Sequence, residues 1–489
     1  MDFSIKDTIN IRVVNNTTLP QNVNLLGSTS DPLGVPPSIL YQWNLSSETF
    51  FGSVSASIVI SNTSNPTPTT YTVQVDGYNI EAVVFALNTL NLGFFQYSGD
   101  IVYVSNDFYI YGALTISSTS FISSWNTSNT SGGSSASNQI QLPLVSSGTY
   151  NFIVDWGDGS QDTITTWNQA ETLHTYATSG TYIISLTGTI NGFVFGDSGD
   201  KLKILSISNF GNIIFGDSLL GIFSGCTNLD LSSVLDTPDL STMTRVDNMF
   251  KGCGFSSINN LENWDVSNIV EFESMFRDCG RFNQDISSWN LASATSLVRM
   301  FLGAITFNSP LNNWNVSNVT NMSGIFSGAS VFNKSLNSWD VSNVTVMNSM
   351  FLGASNFNGN ISSWDVSNVT DMRTMFNNAI AFNQNIGSWN VSSVVNMNGM
   401  FASATAFNQN IGSWNISNVT VLANFMLGKT NLNYSSSNLD AIYNGWSLIS
   451  VQPNININFG TIKYTLAGQA GRNILTSAPK NWTITDGGI

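Results

Sequence analysis

Trp364-Asp365-Val366-Ser367-Asn368-Val369-Thr370-Asp371-Met372-Arg373-Thr374-Met375-Phe376 is one copy of a sentence that this chain repeats with small changes. Tryptophans stand at Trp264, Trp289, Trp314, Trp339, Trp364, Trp389 and Trp414, always 25 residues apart. A fixed period of this length means that no unit buries its apolar face alone and that each must hide it against its neighbours. The middle of the chain is therefore expected to be a stacked solenoid, a body that presents surface.

Working outward from Trp364, apolar residues recur at Ile361, Trp364, Val366, Val369, Met372, Met375, Phe376, Ala379 and Phe382. The same slots return at Ile386, Trp389, Val391, Val394, Met397, Met400, Phe401, Ala404 and Phe407. Two periods are mixed. Trp364 and Val366 alternate as a short strand does, whereas Val369, Met372, Met375/Phe376 and Ala379 fall on one face of a helix, with Ser367 or Thr370 as its cap. The pattern predicts strand-turn-helix units of the leucine-rich-repeat plan.

The helix phenylalanine is Phe276, Phe301, Phe326, Phe351, Phe376 and Phe401 in the regular copies, and Phe223 and Phe250 at wider intervals before them. Pro238 stands where a tryptophan is due, and beyond Phe425-Met426 and Leu432-Asn433 the pattern fades. The expected organisation is a multidomain, β-rich chain. Residues 1–118 form a small α+β module, 119–192 a β-sandwich, 193–433 the solenoid and 434–489 its C-terminal cap.

At 489 residues the chain is too long for one core. Charged residues make up 9%, against about 25% in an ordinary soluble domain. Polarity thus rests on Asn, Ser and Thr. A net charge of −15 and the lack of any basic stripe argue against a nucleic-acid partner. No stretch of roughly 18 apolar residues suggests membrane insertion. Met1-Asp2-Phe3-Ser4-Ile5-Lys6 lacks the layout of a secretory signal, and a lipoprotein cysteine is missing from the start.

Cys226, Cys253 and Cys279 each follow the phenylalanine by three residues, in the slot that Ala304, Ala329, Ala354, Ala379 and Ala404 fill later. A small buried side chain is what that slot needs, and side chains stacked in parallel are poorly placed for bridging. The cysteines are read as packing.

Before the array, strand-like runs are joined by turns. Phe121-Ile122-Ser123-Ser124-Trp125 is a strand, Asn126 to Asn138 a mobile Ser/Thr/Gly loop, and pairing resumes at Ile140-Gln141-Leu142. Val154-Asp155-Trp156-Gly157-Asp158-Gly159-Ser160 and His174-Thr175-Tyr176-Ala177-Thr178-Ser179-Gly180-Thr181-Tyr182 then precede the alternation Ile184, Leu186, Ile190. Within 1–118, Tyr71–Val75, Ile101–Val104 and Phe108–Tyr111 read as strands, and Ile80, Val83, Val84, Leu87 and Leu90 as an amphipathic helix capped by Asn79 and stopped by Gly93.

The W-G-D-G-S and H-T-Y-x-x-x-G-T-Y signatures resemble a PKD-like domain, and the 25-residue array resembles the repeat of BspA-like leucine-rich-repeat surface proteins. The resemblance covers about Phe121 to Ile489, including Asp440-Ala441-Ile442-Tyr443-Asn444-Gly445-Trp446 and Trp482-Thr483-Ile484-Thr485-Asp486-Gly487-Gly488, which resemble that family's cap. It implies a non-catalytic, surface-exposed binding or adhesion protein. The N-terminal module resembles the particle-attachment part of a phage structural protein, which implies a virion-surface setting in which no export signal is needed.

Chemistry has few candidates. His174 is the only histidine, so it is read as fixing a strand start rather than as a catalytic group. Asp155, Asp158 and Asp162 are the candidate calcium ligands, since calcium takes carboxylate and carbonyl oxygens; a tight Asp-Gly turn is the plainer account. In the array, Asp265, Asn290, Asn315, Asp340, Asp365, Asn390 and Asn415 follow the tryptophans and are expected to form a ladder bonded from coil to coil. The Asn-x-Ser/Thr triplets, such as Asn315-Val316-Ser317 and Asn318-Val319-Thr320, match the glycan-acceptor pattern as by-products of the repeat. The tryptophans themselves are assigned to the core rather than to a sugar platform.

The expected function is that of a non-enzymatic virion surface protein, a fibre, decoration or receptor-binding subunit. Residues 1–118 would dock to other virion proteins, and the solenoid would meet a host surface protein or glycan. Identical subunits are expected to assemble. The alternative is a bacterial cell-surface adhesin of the BspA-like type, at the cell surface or extracellular. No cofactor is expected beyond the candidate calcium.

Overall fold

The computed structural model describes residues 119–216 and 221–489, together with the backbone of strands between Arg12 and Ser118. It is β-rich, with few helices and with antiparallel sheets. In the N-terminal segment, β1 (Arg12–Val13) pairs with β2 (Gln21–Asn22). One antiparallel sheet orders β3 (Leu25–Gly27), β4 (Tyr41–Asn44), β8 (Ile101–Ser105) and β7 (Phe94–Ser98). A second joins β5 (Ser53–Asn62) to β6 (Asn65–Asp76), β9 (Phe108–Ile110) and β10 (Thr115–Ser118). The helix expected around Ile80–Leu90 lies outside the described residues.

From Phe121 onward a five-stranded antiparallel sheet runs in the order β14 (Gln161–Ile164), β13 (Leu144–Asp155), β16 (Thr181–Phe193), β11 (Phe121–Asn126) and β17 (Ile204–Asn209). A two-stranded ladder of β12 (Gln139–Gln141) and β15 (Leu173–Thr175) accompanies it. Alternation sets the core: Phe152, Val154, Ile184, Leu186, Trp125 and Trp156 are all buried. Strand β17 lies beyond residue 192, so the last strand of this sheet comes from the chain on its way into the array. Ser206 then bridges in parallel to Asp230, and the sheet edge becomes the first rung of the stack.

The loop expected to be mobile between Asn126 and Asn138 is tied down instead. Ser135 N–H and Oγ donate to the buried Asp200 carboxylate at 2.7 and 2.6 Å. The buried Lys203 ammonium donates to the carbonyls of Ser135, Ala136 and Gln139 at 2.8–3.0 Å. Two charges with no solvent access have their hydrogen-bonding capacity used by loop backbone, which fixes the loop.

The repeated units are not strand-turn-helix. No α-helix forms among the described residues of the array, and the inter-coil ladder does not pass through the tryptophan. Single parallel bridges link Arg245, Glu271, Ser296, Asn321, Val346, Asp371, Asn396 and Val421 in succession, seven residues after each tryptophan where the sentence is complete. The spacing misread as helical is a run of tight turns: Trp364, Val369, Met375, Ala379 and Phe382 each donate their N–H to the carbonyl three residues back. Between them, Met372, Thr374, Phe376 and Asn378 donate forward to Asn396, Asn398, Met400 and Ala402 of the next coil. A continuous helix would spend those donors on its own carbonyls. Thr374 and Asn378 sit at φ 52° and 58°, the left-handed region that ends a helix.

Beyond the last regular coil, Leu422 bridges to Ile457 of β18 (Asn456–Asn458), which pairs in parallel with β19 (Thr483–Thr485). Helix α1 (Ser436–Ser447) is capped by Ser435, and α2 (Leu466–Thr476) by Thr465. Helix α1 turns Leu439, Ile442, Tyr443 and Trp446 inward. Its backbone approaches the last coil so closely that a Cβ on Gly445 would lie 1.9 Å from the Gly412 carbonyl oxygen, so only glycine fits there.

Candidate interaction surface

The inside of the array is made of columns. Trp264, Trp289, Trp314, Trp339, Trp364, Trp389 and Trp414 are 1–4% exposed, and Phe276, Phe301, Phe351, Phe376 and Phe401 are fully buried. Trp314, Trp339, Trp364 and Trp389 stack at 6.3–6.4 Å between centroids. The phenylalanine column runs beside them at 5.6–5.9 Å. Within each coil that ring packs on a second one, as Phe376 does on Phe382 at 3.8 Å. Burial of large aromatics on this scale is the main stabilising term, since each ring removes of the order of 150–250 Å² from water.

Each indole also serves the backbone. Trp289, Trp314, Trp339, Trp364, Trp389 and Trp414 donate Nε1–H to a carbonyl in the preceding coil, those of Leu261, Ile286, Leu311, Leu336, Ile361 and Ile386, at 2.8–3.4 Å. Trp264 Nε1 has no such partner. It belongs to the first regular unit, whose predecessor carries Pro238 in place of tryptophan.

The residues after the tryptophans do not form the expected inter-coil ladder. Oδ1 of Asp265, Asn290, Asn315, Asp340, Asp365, Asn390 and Asn415 accepts from the N–H two residues ahead in the same coil, closing a local turn. Ser267 and Ser342 hydrogen bonds hold the Asp265 and Asp340 carboxylates below their ordinary range. The ladder lies elsewhere. Oδ1 of Asn283, Asn308, Asn333, Asn358 and Asn383 accepts the N–H of Asn308, Asn333, Asn358, Asn383 and Asn408 in turn, at 2.7–2.9 Å. Asn408 passes the series on to Ser435 at the cap. A second series uses Asn318, Asn343, Asn368 and Asn418, whose amides donate to the carbonyls of Ala292, Ser317, Ser342 and Ser392. Those acceptor-pattern asparagines are therefore structural. The sequence signal was present: Phe-Asn recurs in every regular unit.

The candidate calcium ligands are not brought together as a site. Asp155 accepts from Gly157 N–H and Gln161 Nε2, Asp158 from Ser160 and His174, and Asp162 from Trp156 Nε1. No group of three or more metal-ligating side chains occurs among the described residues. His174 Nε2 lies 2.8 Å from Asp158 Oδ2, and its ring stacks on Trp156 at 4.7 Å and 10°. It joins strand β15 to the Asp-Gly turn.

Cys226, Cys253 and Cys279 are free and buried, and burial pushes all three thiols up, Cys279 to about 12. Lys429 occupies the slot of Ala404 and Cys279. Its ammonium is fully buried without a carboxylate and donates to the carbonyls of Ala404, Thr405, Phe407 and Asn433 at 2.6–3.1 Å. Burial lowers it to about 7. A lysine in a slot of small residues was the sequence sign of this junction.

The outside of the array carries Asn, Ser and Thr with exposed apolar side chains among them, such as Ile305, Ile380, Val395 and Val421, and its ion pairs are concentrated at its beginning. Arg245 bridges Asp247 and Glu271, and Arg299 lies 3.7 Å from Glu273. Asp247 is buried, whereas the Arg299 pair is exposed and contributes little stability. With both ends covered, the lateral faces are what the array offers.

Residues 217–339 and 320–439 match the family model described as Mycoplasma protein of unknown function, DUF285. The two matches together cover residues 217–439, most of the array and a little under half of the chain. No curated protein and no solved structure matches. Among the described residues no helix is long and apolar enough to cross a membrane.

Proposed function

We propose that this chain is a non-enzymatic surface protein in which a PKD-like sandwich and a C-terminal cap hold a leucine-rich-repeat-like solenoid whose lateral faces make the attachment contact. The observation that carries the reading is the continuity of the stack. Bridges run from Ser206 to Ile457, the aromatic columns turn inward, and the outward surface carries few charges, with apolar side chains such as Ile305, Ile380, Val395 and Val421 exposed among polar ones. Such a surface suits recognition through many weak hydrogen bonds.

One setting is the virion surface, with residues 1–118 docked to other virion proteins and identical subunits presenting the array to a host surface protein or glycan. The second is the bacterial cell surface, where the chain is an adhesin of the BspA-like type. The second is favoured by the matched family's description, which names Mycoplasma. Mass spectrometry of purified particles and of the cell-envelope fraction separates them. Recovery with capsid and tail proteins supports the first, recovery in the envelope supports the second, and recovery only among soluble cytosolic proteins overturns both.

A further inference from the structure

Twelve tryptophans lie between residues 119 and 489, and eleven are buried. Trp167 is the exception at 44% exposure. Its loop is held by Gln169, whose Oε1 accepts the N–H groups of Thr165 and Thr166 at 2.8 and 3.1 Å while Nε2 donates to Thr163 O at 2.8 Å. An indole left in water on a loop this well tied is a preformed platform.

Trp167 borders a groove of about 820 Å³ where the sandwich meets the first turn of the array, lined also by Gln141, Leu144, Asn168, Leu173 and Val194. This volume lies in the range of small-ligand sites, about 300–1,000 Å³. Among its lining residues the only ionisable side chain is Asp200, which is buried and already accepts from Ser135 and Gln141. A groove with neither a free cation nor an accessible carboxylate does not select a charged ligand. Main-chain donors are also taken: Gln141 N–H goes to Asp200, Leu142 N–H to Thr172 O, Leu144 N–H to Leu142 O and Val145 N–H to Tyr150 Oη. An extended peptide adding to a strand edge would find few free donors there.

We infer that this groove binds a neutral glycan, with a pyranose ring laid on the Trp167 indole and its hydroxyls met by the Asn168 amide. The C–H face of a neutral sugar covers an aromatic ring, and its hydroxyls require amide and hydroxyl partners. The site is separate from the lateral faces of the array and does not depend on where the protein resides, because binding is measured on the purified chain and location on fractions.

The test is affinity electrophoresis of the full chain through gels containing glycogen, hydroxyethylcellulose or galactomannan, with dextran sulfate as the charged control. Retardation by at least one neutral polysaccharide is expected, weakened about tenfold or more in Trp167→Ala and largely kept in Trp167→Phe. An unchanged thermal transition verifies that Trp167→Ala is folded. No retardation by the neutral polysaccharides overturns the assignment, as does equal retardation of Trp167→Ala or retardation by dextran sulfate alone.

Discussion

The indole of Trp364 donates its Nε1–H to the backbone carbonyl of Leu336 in the preceding coil, at 2.9 Å. One side chain thus fills the core and gives the Leu336 carbonyl a second donor beside the Trp339 N–H, tying one coil to the next. Trp264, identical in position and 3% exposed, has no partner for the same atom.

The pair makes a controlled comparison. Trp364→Phe keeps an aromatic ring but removes one of the two hydrogen bonds accepted by the Leu336 carbonyl, which keeps the Trp339 N–H at 3.0 Å, and is expected to cost about 0.5–1.5 kcal/mol. Trp264→Phe removes no hydrogen bond and should cost less than the equivalent change at 364. Trp364→Ala, which empties the slot, should cost about 3–5 kcal/mol. Urea unfolding of the three variants measures this; equal losses at 264 and 364 would contradict the role given to the indole N–H.

Asparagines in two columns should behave differently. Asn358 Oδ1 accepts from Asn383 N–H at 2.9 Å and Gln384 Nε2 at 3.0 Å, so Asn358→Ala should destabilise by about 0.5–1.5 kcal/mol. Asn390 uses only its oxygen, toward Ser392 N–H in its own coil. Asn390→Asp keeps that acceptor and should stay within about 0.5 kcal/mol of the parent. Thermal unfolding reads both.

Much of this was legible in the sequence. The period, the inward slots and the end signs follow from the spacing of Trp264 to Trp414 and from Pro238, because burial imposes the same chemistry on every coil. The turns are not distinguishable from a helix by spacing alone, since Val369, Met372, Met375 and Phe376 satisfy a helical face and a series of three-residue turns equally well. A discriminating column was available: Asp278, Gly303, Gly328, Gly353, Asn378, Ser403 and Gly428 share one register, and all have positive φ. Repeated Gly, Asn and Asp there speak for left-handed turns rather than for a helix interior. Lys203 with Asp200, and the exposure of Trp167, depend on contacts between distant segments that no local pattern encodes.

Lys429 should give stability a distinctive pH dependence. Burial places its folded-state value at about 7, below the roughly 10.4 of an unfolded lysine. Between these values the unfolded chain holds a proton that the folded chain does not, so this group makes stability rise with pH across that window. Below about pH 7 both states are protonated and the contribution is flat. Denaturant unfolding from pH 6 to 10 should show this component, and its slope should diminish in Lys429→Met; an unchanged slope would remove Lys429 as the source.

The three thiols should be silent in the native state. Cys226, Cys253 and Cys279 are buried and held in the thiol form, and the thiolate is the reactive species. A thiol-specific chromogenic reagent at pH 8 should label none in the folded protein and all three in denaturant. Rapid native labelling would show that these coils open.

The shared core of the coils is tested most directly by deletion in and out of register. Removing residues 340–364 takes out one whole period and should leave a protein that unfolds in a single cooperative transition, because Trp339 is then followed by Asp365 in the parent pattern. Removing residues 340–352 takes out about half a period and should abolish that transition, since every later aromatic would face the wrong slot. Separate transitions for individual units, or equal tolerance of both deletions, would contradict a continuous stack.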